Sequence, residues 1–276
     1  MMIKIDFVSD LHFEINGSAM ELKFPQTRGD YMVLVGDMLP YRMLHNQNEA
    51  LDEFINFIRT ECRDYKKVFW VPGNHEYYRH QFSDVGINDI IPKILDEHVL
   101  LVNNKWTILG TTPVYFGTLW TDMDRGNPLI IEAVQRSMND YRIIYKDPKH
   151  KHPIRGTDTI KVFEEQLKMC EMHSGCAGCL CDYVRPVIFT HHGPSLQSHN
   201  TERYGKNDPI MYGYLSDLDE RILGYQNPPS HWIHGHTHSS VDYMIGDTRI
   251  LGSMYGYVGR DRMFREVLEV GQIEVK

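Results

Sequence analysis

The chain has 276 residues, of which 42% are hydrophobic and 24% are charged, and its formal net charge is −8. This composition is ordinary for a globular protein, and a chain of this length buries a substantial core without disulfide staples. The acidic balance argues against a protein that coats nucleic acid nonspecifically, because contacts to phosphate groups need lysine and arginine.

The N-terminal segment and the cysteine pattern indicate a cytoplasmic protein. Residues 1–10 form a charged, alternating segment that lacks the apolar core of a signal peptide. No apolar run approaches the roughly 20 residues that span a bilayer. The five cysteines are an odd number, and four of them crowd between Cys170 and Cys181, which is not the pattern of a secreted disulfide framework.

Hydrophobic periodicity predicts alternating strands and helices in the first part of the chain. The predicted strands are 3–9, 31–35, 67–71, 99–102 and 105–110, and the predicted helices are 48–62 and 88–97. Such alternation is typical of a βαβ organisation.

The second part of the chain is richer in predicted hairpins. Helices are predicted at 128–139 and 158–173, with an exposed loop at 146–152 and a capped helix start at 216–219. The predicted strands are 187–190, 231–234, 240–245, 248–252 and 266–275, with hairpin turns around Gly246-Asp247 and Gly271. No repeat or composition break divides the chain, so we expect a single domain over residues 1–276.

Five short clusters rich in Asp, Asn and His follow predicted strands. Asp10-Leu11-His12 and His236-Thr237-His238 each place two metal-binding side chains at i and i+2, and residues two apart in an extended segment point to the same side. The other clusters are Gly36-Asp37, Gly73-Asn74-His75-Glu76 and His191-His192-Gly193. Open α/β sheets bind ligands where their strands end, so the five clusters predict one shared metal centre.

The donor types indicate which metal this centre binds. The candidate ligands are Asp10, His12, Asp37, Asn74, His191, His236 and His238. Oxygen and imidazole nitrogen together suit manganese, iron or zinc, whereas calcium prefers oxygen alone and copper(I) prefers sulfur. Seven ligands exceed the needs of one four-coordinate ion, so Asp37 could bridge two ions.

Two neighbouring histidines are not expected to bind metal. His192 faces away from His191 if the segment is extended, because adjacent residues then point to opposite sides. His234 precedes His236 by two residues, and we expect it to be structural or to support a ligand.

The order of these clusters resembles the calcineurin-like metallophosphoesterase superfamily. The matching blocks are Ser9-Asp10-Leu11-His12, Val35-Gly36-Asp37, Pro72-Gly73-Asn74-His75-Glu76, Thr190-His191-His192-Gly193-Pro194 and Ile233-His234-Gly235-His236-Thr237-His238. They extend over nearly the whole chain. The resemblance implies an α/β fold of four layers, an α/β/β/α sandwich with two mixed sheets inside and helices outside.

The resemblance also implies a dinuclear centre that hydrolyses a phosphate ester. One ion would be held by Asp10, His12 and His238, and the other by Asn74, His191 and His236. Asp37 would bridge the ions, and a water or hydroxide between them would be the nucleophile. His75 would face the substrate, contact the phosphoryl group and assist the leaving oxygen.

A narrower resemblance to bacterial and phage phosphoesterases lies in residues 138–142, 190–195 and 253–259. Many such relatives carry Asn-Pro-Arg-Gly-Tyr near the last of these segments, whereas this chain has Ser253-Met254-Tyr255-Gly256-Tyr257. A phosphate-binding role for the absent arginine is therefore not carried over, and Arg142 is the candidate substitute.

The expected substrate is a small or nucleotide phosphodiester or phosphomonoester. Tyr77-Tyr78 and Tyr255-Tyr257 could line a pocket that stacks a base. Two other functions stay open. A nuclease acting on DNA or RNA predicts a basic groove, which the net charge does not support. A metal-bearing binding module without catalysis predicts the loss of a ligand or of His75.

A separate cysteine cluster contains Cys170, Cys176, Cys179 and Cys181. Cys-x-x-Cys is a zinc-type spacing, but structural zinc sites usually gather two well-separated pairs, and here all four thiols lie within twelve residues. The cluster is compatible with a small structural zinc site, a redox switch or a loop with free thiols.

Overall fold

The computed structural model describes residues 2–17, 20–174, 184–258 and 267–276. The strands in these ranges are β1 (Ile3–Val8), β2 (Glu21–Lys23), β3 (Tyr31–Val35), β4 (Lys67–Val71), β5 (Val99–Leu101), β6 (Lys105–Leu109), β7 (Thr112–Gly117), β8 (Val187–Thr190), β9 (His231–His234), β10 (Val241–Ile245), β11 (Thr248–Gly252), β12 (Val267–Glu269) and β13 (Gly271–Val275). The helices are α1 (Phe13–Asn16), α2 (Glu49–Glu61), α3 (Ile87–Ile94), α4 (Met123–Gly126), α5 (Pro128–Ser137), α6 (Asp140–Ile143), α7 (Gly156–Cys170), α8 (Met211–Tyr214) and α9 (Asp219–Leu223).

The strands form two large mixed sheets. The first has the order β13-β1-β3-β4-β5, in which β13 is antiparallel to β1 and the other pairs are parallel. The second has the order β10-β11-β9-β8-β7-β6, in which only the two outer pairs are antiparallel. A short parallel pair, β12 with β2, lies apart from both.

Alternation along the strands decides which side chains lie between the sheets. Phe7 of the first sheet meets Phe189 of the second with ring centroids 6.2 Å apart, and Phe69 meets Phe116 at 4.8 Å. The opposite faces carry other apolar residues that pack on helices; Trp70, for example, contacts Phe54 of α2 at 5.1 Å. Helices therefore cover the outer faces, and the predicted four-layer α/β/β/α fold is confirmed.

Most predicted elements are present, with several differences. The structure adds strand β2 and the short helices α1, α4, α6 and α8. The capped helix start predicted at 216–219 is α9, which begins at Asp219 and has no side-chain cap.

Strand β7 was not predicted, because Pro113 and the preceding Gly110 are typical of a turn. The single strand predicted at 266–275 is two strands, and β12 and β13 pair with different partners. The hairpin predicted around Gly271 is therefore wrong, whereas that around Gly246-Asp247 is confirmed by the β10–β11 pair.

The edge of the sheets where the parallel strands end positions the candidate site. Strands β1, β3, β4, β8 and β9 each lead directly into one of the five Asp, Asn and His clusters. Backbone hydrogen bonds join these connections, for example Asp10 N to Gly36 O at 3.0 Å and Gly235 N to His191 O at 3.0 Å.

None of the helices in the described ranges has both the length and the apolar character needed to cross a membrane.

Candidate metal centre

All seven candidate ligands are brought together at this edge. Each of them is buried, with at most 8% of its surface exposed. Asp10, Asp37, His191 and His236 have donor atoms within 4.8 Å of one another, and so do Asp10, His12 and His238.

Five of these ligands adopt a backbone conformation that is unfavourable for their residue type. The φ angles of Asp10, His12, Asp37, His236 and His238 are 59°, 48°, 58°, 73° and 51°. Left-handed backbone at residues other than glycine is uncommon and costs about 1–3 kcal/mol each, and such strain clusters at functional sites. The strained backbone therefore lowers the stability of the fold, and it directs these side chains toward the candidate centre.

Two glycines allow the ligand-bearing loops to approach closely. A Cβ atom on Gly36, whose φ is +89°, would lie 2.2 Å from His191 Nδ1. A Cβ atom on Gly73 would lie 2.2 Å from Asp37 Oδ1. Real Cβ atoms essentially never come so near, so neither position has room for a side chain.

One half of the centre is formed by Asp10, His12 and His238. His238 Nε2 lies 3.2 Å from His12 Nε2 and 3.3 Å from Asp10 Oδ1. His12 donates its Nδ1 proton to Glu14 Oε1 at 3.2 Å, because a carboxylate only accepts. The lone pair of His12 Nε2 therefore points toward His238 and Asp10.

The other half contains Asn74, His191 and His236. His191 donates its Nδ1 proton to the carbonyl of Val35 at 2.9 Å, which leaves Nε2 3.2 Å from Asn74 Oδ1. Asn74 is held by Asp140, which accepts from Asn74 Nδ2 at 2.8 Å. This bond points the amide oxygen of Asn74 into the centre.

Asp37 lies between the two halves. Its Oδ1 is 3.4 Å from His191 Nε2, and its Oδ2 is 3.7 Å from His12 Nε2. Burial opposes the charge of Asp37, but the neighbouring histidines outweigh it and hold the pKa of this carboxyl well below its usual range. Asp37 is thus an anion placed where it can touch both groups of ligands.

The donor set fits divalent cations. His236 Nε2 is buried without a hydrogen-bond partner among the described residues. Burial and the neighbouring histidines hold the pKa of His236 well below its usual value, so its ring is neutral and can donate a lone pair. Carboxylate, amide oxygen and imidazole nitrogen are donors that suit manganese, iron or zinc.

His75 faces the cavity beside the candidate ligands. Its Nδ1 lies 2.8 Å from Glu14 Oε1, and its Nε2 lies 3.1 Å from the hydroxyl of Tyr257. Burial disfavours the charged ring, but Asp37 and Glu14 outweigh burial and raise the pKa of His75 to about 9. His75 is therefore a protonated imidazole near neutral pH.

A cavity of about 60 Å³ opens onto the centre. Its lining residues are Asp37, Asn74, His75, Tyr78, Arg203, Tyr204, Tyr214, His236, His238 and Tyr257. Arg203 brings a positive charge to it, with a guanidinium nitrogen 3.2 Å from His238 Nδ1. The cavity is polar and opens to solvent, so a phosphoryl group bound in it could carry a substituent that extends outside.

Arg142 does not join this cavity. Its guanidinium donates to Asn139 Oδ1 at 3.4 Å and to the carbonyl of Arg136, which holds it against the end of α5. The structure thus places a different arginine, Arg203, next to the candidate metal centre.

The tyrosines suggested for base stacking are divided between the cavity and the core. Tyr78 and Tyr257 line the cavity, but Tyr78 already stacks on His75 with centroids 4.0 Å apart. Tyr77 and Tyr255 are buried, and the hydroxyl of Tyr77 donates to Asp84.

The two neighbouring histidines lie beside the candidate ligands. His192 donates from Nδ1 to the carbonyl of Thr118 at 3.1 Å, and its ring packs on His236 at 4.5 Å. His234 Nε2 accepts from the hydroxyl of Ser198 at 2.8 Å. Neither belongs to the groups of donor atoms that could hold a metal in the described part of the chain.

Sequence reasoning missed Glu14, Asp140 and Arg203. Glu14 follows His12 by two residues but lies in α1, so the pattern of an extended segment does not apply to it. Asp140 lies in the 138–142 segment of the narrower resemblance, but its contact with Asn74 forms only on folding. Arg203 also approaches the centre only through folding, and its position in the sequence gives no signal.

The cysteine cluster lies mostly outside the described residues. The cysteines outside the described ranges are Cys176, Cys179 and Cys181. Cys170 is described, and it is buried at the end of α7. Burial raises the pKa of the Cys170 thiol well above its usual value, which favours the protonated form. A zinc site at these four residues stays a prediction.

Comparisons with known proteins extend the resemblance read from the sequence. The family model described as calcineurin-like phosphoesterase matches residues 3–240. The protein L509 of Acanthamoeba polyphaga mimivirus, described as uncharacterized, is 27% identical over 274 residues, which covers 91% of this chain and 90% of that protein. The solved structure of the phosphopantetheinyl hydrolase PptH from Mycobacterium tuberculosis has a TM-score of 0.64 at 16% identity, covering 97% of this chain and 95% of that one. At such low identity the likeness to this structure shows a shared fold alone.

Proposed function

The chain belongs to the calcineurin-like phosphoesterase family, and we propose that it hydrolyses small phosphate esters with two divalent metal ions. Asp10, His12 and His238 would hold one ion, and Asn74, His191 and His236 would hold the other, with Asp37 shared. The observation that carries the proposal is the convergence of these buried side chains, several in strained backbone, on one small cavity.

The cofactor supplies Lewis-acid activation of water and of the phosphoryl group when it is bound. The protein supplies the remaining chemistry. Asp37 and Asp10 place negative charge where the cations would lie, and His12 and His191 would turn Nε2 toward an ion because their Nδ1 atoms donate to Glu14 and Val35. Burial lowers the pKa of His191 but Asp37 outweighs burial and raises it to about 10, so His191 would release its Nε2 proton when an ion binds. This preorganisation removes the need for the ligands to rearrange.

His75 supplies the proton for the leaving oxygen. As the phosphorus–oxygen bond breaks, the electron pair stays on the leaving oxygen, which takes the proton from His75 Nε2. The ring is held on its other side by Glu14, and its Nε2 faces the hydroxyl of Tyr257 at the cavity. General acid catalysis of this kind typically contributes about 10²–10⁴ in rate.

Arg203 binds the substrate's phosphoryl oxygens. It supplies the arginine side chain lining the cavity in the described structure, beside His75 and the candidate ligands. Its guanidinium can form charge-assisted hydrogen bonds to phosphate, which are stronger than neutral ones.

The test compares hydrolysis of p-nitrophenyl phosphate with that of bis-p-nitrophenyl phosphate. The protein is stripped with chelator and refilled with manganese, and Asp37→Ala is compared with Asp64→Ala, which changes an exposed carboxylate. We expect metal-dependent turnover that is lost in Asp37→Ala and kept in Asp64→Ala. The preferred ester tells whether the substrate class is a monoester or a diester.

Two results would contradict the proposal. Turnover that survives in Asp37→Ala would separate the activity from this centre. Absence of turnover of either ester, with manganese bound in the ratio of two per chain, would instead favour a binding module without catalysis.

A further inference from the structure

One carboxylate joins the candidate metal ligands to the candidate proton donor. Glu14 Oε1 lies 3.2 Å from His12 Nδ1 and 2.8 Å from His75 Nδ1. The two imidazole rings are close neighbours, with centroids 4.4 Å apart. Since a carboxylate oxygen only accepts, both rings must place their Nδ1 protons on this one atom.

The short helix that carries Glu14 is held in place from several sides. Glu14 lies in α1, where Phe13 N donates to the carbonyl of Met38 at 2.9 Å, and the side-chain amide of Asn16 donates to Leu11 O and Gly256 O at 2.8 Å each. Only 9% of the Glu14 side chain is exposed. Its position is thus set by the fold and not by solvent.

The charge of Glu14 is consistent with this role. Burial opposes ionisation, but hydrogen bonds from His12 and His75 outweigh it and lower the pKa of Glu14 to about 2. Hydrogen bonds to an ionised acceptor are roughly twice as strong as neutral ones, so both rings are held firmly.

We propose that Glu14 is a positioning residue that anchors both the metal ligand His12 and the proton donor His75, so that metal binding and proton donation depend on one side chain. The proton-donor half rests on the proposed function, whereas the ligand half does not. Through His12, Glu14 keeps the Nε2 lone pair turned toward Asp10 and His238. Through His75, it keeps Nε2 turned toward the cavity.

The first experiment measures the ring protons without any substrate. Metal-free protein labelled with ¹⁵N-histidine should show protected Nδ1 protons for His12 and His75, because both are hydrogen-bonded in a buried site. Glu14→Ala should abolish both. The Nδ1 protons of His191 and His192 donate to backbone carbonyls and should remain as internal controls.

The second experiment measures manganese affinity and sensitivity to the leaving group. Loss of a side chain that orients a ligating histidine typically costs 10–100-fold in metal affinity, and we expect about that in Glu14→Ala. With manganese saturating, phenyl phosphate should lose roughly ten-fold more rate than p-nitrophenyl phosphate, because its leaving oxygen needs the proton more.

A double variant separates the two roles. In a His75→Gln background, Glu14→Ala should still weaken manganese binding but should no longer change the ratio of rates for the two esters. Glu14→Gln preserves the shape with a weaker, uncharged acceptor and should give smaller effects of the same sign, which also covers the case that Glu14→Ala does not fold.

The outcomes distinguish this proposal from the proposed function. Unchanged manganese affinity in a folded Glu14 variant, persistence of the two ring protons, or an unchanged ratio of ester rates would each overturn the shared anchor. If the wild type hydrolyses neither ester while affinity and ring protons respond as expected, the hydrolytic function fails and the anchoring of both histidines stands.

Discussion

The backbone N–H of Asp37 donates a 3.0 Å hydrogen bond to the carboxylate of Glu76. The same buried carboxylate accepts from the N–H groups of Met38 and Gly73 and from Trp70 Nε1, at 2.8, 2.7 and 2.9 Å. Glu76 therefore ties the loop after β3 to the loop after β4, and it fixes the backbone that carries Asp37.

Removal of this carboxylate should be costly. In Glu76→Ala four donors lose their buried acceptor, and we expect the free energy of unfolding to fall by about 3 kcal/mol. Urea denaturation in the presence of chelator measures this. The control is Glu97→Ala, which changes an exposed residue and should stay within about 0.5 kcal/mol of wild type. Equal stability of the two variants would show that Glu76 does not fasten the loops.

A methyl group at Gly36 should disrupt the metal centre. It would collide with His191 Nδ1 and would also place a side chain in left-handed backbone. We expect Gly36→Ala to lose at least about 2 kcal/mol of stability and most of its manganese affinity. Gly205→Ala is the matched control, because no atom lies within 4 Å of the added methyl group. Isothermal titration of the folded fraction measures binding, and wild-type affinity in Gly36→Ala would refute the expectation.

Substitution of Arg203 and of Arg142 should have clearly different effects on kcat/KM. Arg203→Ala removes a cation from the cavity, and loss of a charge-assisted hydrogen bond of about 1.5–3 kcal/mol should lower kcat/KM by roughly 10–100-fold, mainly through KM. Arg142→Ala should leave kcat/KM unchanged, because its guanidinium binds at the end of α5. The reverse ranking would restore Arg142 as the substrate residue.

The stability of the metal-free protein should depend on the charge of His75. Its pKa is raised from an ordinary 6.5 to about 9, so its stabilising contribution is complete below pH 6.5 and is lost as the pH rises through 9. We expect the free energy of unfolding to fall by about 2–3 kcal/mol more in wild type than in His75→Gln between pH 6.5 and 9.5. Denaturant titrations with chelator across this pH range measure how the free energy of unfolding of each protein changes with pH. Parallel curves would mean that His75 is not charged in the folded protein.

The candidate metal ligands could be recognised in the sequence because each follows an apolar run. Apolar runs in the sequence indicate the strands that end at Val8, Val35 and Val71. A polar cluster directly after such a strand indicates a candidate ligand. A central strand that does not begin as a continuous apolar run could not be predicted. Strand β7 begins Thr112-Pro113, and only its place beside β8 shows that it belongs to the sheet.

The supporting residues could not be predicted, because contacts between distant segments decide their roles. His75 meets Glu14 across 61 positions of sequence, and Asn74 meets Asp140 across 66. An isolated acid at either place is compatible with an exposed residue. For the same reason the sequence favoured Arg142, whereas folding of the 195–215 segment brings Arg203 to the cavity.

The use of both ends of the chain for one centre has a consequence for biosynthesis. Asp10 leaves the ribosome early, but its neighbours His236 and His238 are made roughly 10–50 s later at ordinary elongation rates. Strand β13 at the far end then pairs with β1, which leads into Asp10. A chain that lacks His236 and His238 therefore offers a cation an incomplete set of candidate ligands, and the full set forms only when the segments that carry Asp10 and His238 have folded together.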